Sequence, residues 1–115
     1  MDKNLENNLL LDFYGNMLTE KQRQIMTLYI EEDTSLSEIA EELKTSRQAV
    51  YDAVKSSEKL LKIYEAKLKC VERYLINRSI INNAIQELDK LLLAGENHKK
   101  VQTVVKDLKK VLKNQ

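Results

Sequence analysis

The side chains best suited to chemistry in this 115-residue chain lie between residues 46 and 55. Arg47, Gln48, Tyr51, Asp52 and Lys55 follow one another at the spacing of a single outward helix face, with Ser46 just before them. Arginine and glutamine are suited to base edges, whereas Lys55 and Ser46 suit phosphate oxygens. Tyr51 can stack on a sugar or simply cover its neighbours. Asp52 repels a phosphate backbone unless it meets a cytosine amino group or pairs with a neighbouring base. Nucleic-acid recognition is the chemistry this face offers. The plainer reading is that exposed Arg, Gln and Lys are what any solvated helix displays.

Catalysis has little to work with. His98 is the sole histidine and Cys70 the sole cysteine, and they stand far apart, so neither a Cys/His metal cluster nor an internal disulfide can form. Cys70 reads as a buried or half-buried thiol, and His98 as a surface residue in a linker or first turn. The acids Glu31, Glu32 and Asp33 are too clustered to frame a metal ion. No phosphate-binding glycine loop is present. The sequence therefore predicts a protein that is not an enzyme and takes no cofactor, metal or small-molecule substrate. One reduced thiol, no signal-peptide grammar and no apolar run of membrane-span length predict a soluble, cytoplasmic protein without integral membrane association.

The elements that must position residues 46–55 are helices. Proline is absent and glycine occurs only at Gly15 and Gly95, which leaves helix interiors intact and argues against strand-and-turn folds. Leu5, Leu9, Leu10, Phe13 and Tyr14 give a first helix over residues 4–16. Thr19 with Gln22 forms a capping box for a second, with Ile25, Leu28 and Tyr29 inward and Met26 at the edge. The acidic run 31–33 closes it. Ser35 with Glu38 caps a third helix, whose stripe is Leu36, Ile39, Ala40 and Leu43. After Lys44, either Thr45 (with Gln48) or Ser46 caps a fourth. Its stripe Val50, Val54, Ser57, Leu61, Tyr64, Leu68 and Val71 is heptad-like and far longer than a reading helix needs. Glu58 and Lys62 are spaced for an ion pair along its flank. Leu75 to Leu92 and Val101 to Leu112 supply two more amphipathic helices punctuated by Gly95, the second lined with lysines. The expected organisation is a helical domain over 1–72, with a helix-turn-helix at 35–56 and an extended recognition helix, and a C-terminal helical extension over 73–115. That extension packs on the same core or in a dimer.

Residues 35–56 meet the requirements of a helix-turn-helix: two helices, a tight turn, a small residue (Ala40, opposite Val50) at the crossing and a polar outward face. On these residues a resemblance enters. The stretch LTEKQRQIMTLYIEEDTSLSEIAEELKTSRQAVYDAVKSSEKLL, residues 18–61, resembles the YlxM family of helix-turn-helix proteins, also called p13-like or UPF0122, of Gram-positive and related bacteria. Ser46-Arg47-Gln48-Ala49-Val50-Tyr51-Asp52 after Ser35 to Leu43 is its most specific piece, and the likeness extends over most of residues 3–92. The broader likeness is to region 4 of bacterial sigma factors. It implies an all-α fold with a three-helical core of the winged-helix superclass, without a wing, and long C-terminal helices. It also implies that Arg47 to Lys55 would read a promoter element. Lys44 departs from the Gly or Asn favoured at the turn, and Thr45 from the commoner Val. Family genes lie beside those of the signal recognition particle GTPase and its receptor, which implies a partner or regulator of that pathway.

Charge is uneven. Residues 1–45 carry 4 basic and 10 acidic side chains, whereas residues 46–115 carry 15 and 8. This allows a nucleic-acid surface on the second half, or complementary contact between halves or subunits. The apolar faces of residues 50–71 and 75–92 exceed what a few short neighbours cover, so either a homodimer or the terminal helices of the same chain must bury the surplus. The lysine-lined last helix suits packing or groove partnering better than a membrane surface, since it lacks Trp and Phe. Three functions stay open: a regulator binding DNA or RNA, an accessory protein of the signal recognition particle, and a structural dimer whose helix-turn-helix has lost its groove contacts.

Overall fold

The proline-free chain folds into six α-helices among the residues that the computed structural model describes, 3–93 and 98–113. They are α1 (Lys3–Tyr14), α2 (Glu20–Met26), α3 (Leu36–Glu42), α4 (Arg47–Leu68), α5 (Cys70–Leu93) and α6 (His98–Lys113). Gly95 and the tail beyond Lys113 lie outside the described residues. The chain divides into two compact units, Met1–Val71 and Glu72–Gln115.

In the first unit, α4 packs against α1, α2 and α3. Ile25, Met26, Ile39, Val50, Val54 and Leu61 are enclosed between them, together with Tyr14. These apolar side chains leave water almost completely, at roughly 1.5–3 kcal/mol each. Both capping boxes form. Thr19 Oγ1 accepts from the Gln22 amide at 3.1 Å while Gln22 Oε1 accepts from the Thr19 amide at 3.0 Å. Ser35 and Glu38 exchange the same pair of bonds at 3.1 and 3.3 Å. Each box satisfies two amides that the first turn of a helix leaves unpaired.

The structure departs from the expected stripes in three places. On α1 the buried residues are Leu9, Leu10, Leu11 and Tyr14, while Leu5 and Phe13 face solvent. The helix gives way to a 3₁₀ turn, Gly15–Met17; a Cβ on Gly15 would sit 3.3 Å from Leu11 Cδ1, so glycine serves close approach there. After α2 the backbone widens into a π turn over Thr27–Glu31, with the Glu32 amide donating to the Thr27 carbonyl at 3.2 Å. Both Ile25 and Met26 are fully buried and Tyr29 is exposed, the reverse of the expected places of Met26 and Tyr29.

The third departure is at the end of α4. The helix stops at Leu68 instead of running through Val71, because Lys69 adopts a left-handed conformation at φ 55°. Leu68 is 44% exposed, so the buried run on α4 ends at Leu61, covered by helices of the same chain, while Val71 is buried beyond the break, on α5. The α5 start is capped from elsewhere. Tyr14 Oη accepts from the Cys70 amide at 3.0 Å and donates to Glu65 Oε1 at 2.5 Å, and Glu65 Oε1 also accepts from the Val71 amide at 3.0 Å.

In the second unit, Arg78 Nη1 donates to the Leu112 carbonyl at 3.3 Å, so α6 runs back antiparallel to α5. Ile85 and Val105 are its buried apolar side chains, and Ile76 and Ile80 are exposed. No helix among the described residues is long and apolar enough to cross a membrane.

Candidate nucleic-acid interface

The candidate face is built on the turn between α3 and α4. Leu43 caps the end of α3, Lys44 takes φ 55°, and two hydrogen bonds close the turn: Lys44 amide to Glu41 carbonyl at 3.3 Å and Thr45 amide to Ala40 carbonyl at 2.9 Å. That pair of bonds is the Schellman pattern, in which the residue after the cap must be left-handed. Lysine bears the steric cost that glycine avoids, roughly 1–2 kcal/mol. Ala40 is buried beneath the turn, as a crossing between two backbones requires. Ser46 then caps α4, its Oγ accepting from the Ala49 amide at 3.0 Å. Of the two caps the sequence allowed, Ser46 serves.

Val50 and Val54 anchor the first turns of α4 inward, which fixes what points outward. Ser46, Arg47, Gln48, Tyr51, Asp52 and Lys55 are all exposed. Arg47 forms no hydrogen bond or ion pair among the described residues, and no acid stands in the first turn of the helix. The N-terminal amides and the guanidinium therefore add their positive potential. Gln48 Nε2 donates to Asp52 Oδ1 at 2.9 Å. This bond accounts for the awkward aspartate: it takes up one Asp52 oxygen within the helix and holds the Gln48 amide in one orientation. Lys55 Nζ lies 5.6 Å from the Tyr51 ring centroid and 3.9 Å from Glu58 Oε1. Glu58 thus pairs with Lys55, not with Lys62 as its spacing suggested.

Lys59 escaped the sequence reading, and Lys62 was read only as an ion-pair partner for Glu58. Lys59 and Lys62 are exposed beyond Lys55 on the outer side of α4, and the steps of four and three from Lys55 were the signal. The neighbouring element is of opposite sign, since α3 exposes Glu38, Glu41 and Glu42. Among the described residues no group of three or more His, Cys, Asp and Glu is placed to hold a metal ion.

Residues 1–104 match the family described as "Putative helix-turn-helix protein, YlxM / p13 like". The chain belongs to this family. Family members at high identity include a UPF0122 protein of Halalkalibacterium halodurans, 47% identical over 96 residues, covering 84% of this chain and 88% of the relative. A UPF0122 protein of Clostridium perfringens is 46% identical over 100 residues, covering 87% and 89%. One of Bacillus mycoides is 39% identical over 108 residues, covering 94% and 98%. The YlxM match takes in the whole of α1 to α5, and with them every residue of the candidate face.

Proposed function

We propose that this YlxM-family chain is a non-catalytic regulator that contacts duplex DNA through the first turns of α4. One observation carries the reading: Ser46, Arg47, Gln48, Tyr51, Asp52 and Lys55 are presented together, outward, on a capped helix whose inner side is locked into the core by Val50 and Val54. A rigid element with an exposed Arg-Gln pair at its N-terminus is what groove insertion of a reading helix requires. The likeness to sigma region 4 supports the same placement. A homodimer belongs to this reading, since Ile76 and Ile80 stand 51% and 61% exposed one turn apart on α5. The acidic and basic parts of the sequence give two copies complementary charge.

The test is retardation of duplex DNA at moderate salt, with wild type and an Arg47→Ala, Gln48→Ala double variant. Binding by the wild type and its loss in the variant support the reading; equal binding by both removes these residues from it. The family's genomic neighbourhood supports a second reading, an accessory protein of the signal recognition particle. A pull-down from native lysate with and without nuclease separates the two. Recovery of particle RNA or its GTPase, with no DNA retained, transfers the function to that pathway.

A further inference from the structure

The outer side of α4 does not end where a reading helix would. At 1.5 Å per residue, its 22 residues span about 33 Å, whereas the major groove is about 12 Å wide. Residues 47–55 fill the groove-sized part. The remainder carries Lys59 and Lys62, which are grouped with Lys55, Glu58, Ile63 and Ala66 on the surface of the helix. Three of those six residues are cationic and one is acidic. Glu58 is already 3.9 Å from Lys55, while Lys59 and Lys62 have no hydrogen bond or ion pair among the described residues. The steps of four and three keep all three lysines on one side of the helix, continuous with Arg47 and Tyr51.

The element that usually grips the phosphate backbone beside a reading helix is the first helix of the pair. Here that helix is α3, and its exposed Glu38, Glu41 and Glu42 repel phosphate. A duplex seated on Arg47 and Gln48 must find its backbone anchors elsewhere, and the uncommitted cations nearest in line are on the far half of α4. We infer that Lys55, Lys59 and Lys62 form a phosphate-binding track for the DNA backbone, replacing the anchoring that α3 has given up. This rests on the duplex-DNA reading above, and it assigns affinity to the track and sequence choice to Arg47 and Gln48.

The test measures anisotropy of a labelled DNA duplex titrated with the full chain across a series of salt concentrations. Lys59→Ala and Lys62→Ala are surface changes to a good helix former, so the fold is kept. Each is expected to weaken binding to every duplex alike and to lower the slope of log K against log salt by about 1. Lys67→Ala, which removes an exposed charge from a different side of α4, leaves the slope unchanged. An unchanged slope in the Lys59 and Lys62 variants, with binding still abolished by the Arg47→Ala, Gln48→Ala double variant, overturns the track and spares the reading. An equal loss in Lys67→Ala also overturns the track, because the effect is then diffuse charge. A wild-type chain that binds RNA or protein but no DNA duplex overturns both.

Discussion

The hydroxyl of Ser57 is enclosed in the first unit and has no hydrogen-bond partner, although its neighbours along the same stripe are valine and leucine. A buried polar group left unpaired costs about 1–3 kcal/mol. Ser57→Ala removes that penalty and leaves only a small void, so it is expected to stabilise the protein by about 1 kcal/mol. Denaturant unfolding at fixed protein concentration checks this; a lower midpoint would show that the hydroxyl finds a partner in solution. Lys44 presents the opposite problem, a backbone cost rather than a side-chain one. Its left-handed φ is imposed by the Schellman turn, and its side chain is exposed. Lys44→Gly relieves the steric cost but loosens the unfolded chain, leaving a net gain of about 0.5–1 kcal/mol. DNA retention by that variant should match wild type, since Lys44 is not among the groove-facing residues.

At the scale of elements, the joint between α4 and α5 holds together through residues far apart in sequence. Tyr14 on α1 supplies one phenolic oxygen to the Cys70 amide and its proton to Glu65, which in turn caps Val71. Tyr14→Phe leaves the Cys70 amide without that acceptor, and is expected to cost about 1–3 kcal/mol. The phenol also makes the joint alkali-sensitive. Burial, and then the bond donated to Glu65, push its pKa above the ordinary value of 10.0. The folded state holds this proton more tightly than the unfolded chain does. The Tyr14 contribution is therefore complete below pH 10 and is lost progressively as pH rises above it. Stability measured through that range should fall more steeply in wild type than in Tyr14→Phe; parallel curves would mean that the phenol titrates normally. This joint also marks the limit of what the sequence discloses. The boxes Thr19–Gln22 and Ser35–Glu38 were legible because a capping box is a device of four consecutive residues. The exposed face from Ser46 to Lys55 was legible because Val50 and Val54 fix its register. The stop at Lys69 was not, since neither glycine nor proline marks it and the residue that holds it is 51 to 56 positions away. The α1 stripe was legible in part: Leu9, Leu10 and Tyr14 are buried as their spacing suggests, but packing encloses Leu11 as well and leaves Leu5 and Phe13 outside. The left-handed Lys69 and the π turn are tertiary choices that no local pattern of side chains announces, whereas the position of Lys44 in the turn was marked by the Gly or Asn usual there.

For the whole molecule, the open question is what covers the apolar surface that one chain leaves bare. The stripe on α4 needs no partner through Leu61, because α1, α2 and α3 cover it. That removes half of the sequence-level case for a dimer and shifts the rest to α5, where Ile76 and Ile80 are exposed near its start and Leu91 and Leu93 at its end. Two exposed isoleucines one turn apart are a small patch, so a dimer built on them must draw additional contact from elsewhere. The acidic residues 1–45 and the more basic residues 46–115 offer complementary charge for it. Such an interface weakens with salt, unlike one held by apolar burial alone. Sedimentation equilibrium of the wild-type chain is accordingly expected to give a dimer at low salt that loosens as salt is raised. Ile76→Asp with Ile80→Asp should give a monomer of unchanged helix content, because neither side chain is buried within the chain. If wild type is a monomer throughout, Ile76 and Ile80 do not serve self-association and each chain presents a single α4. If the dimer persists in the double variant, the contact lies elsewhere. A dimer that dissociates as expected also predicts a loss of DNA affinity in the double variant without any change at Arg47 or Gln48, since two linked reading helices bind more tightly than one.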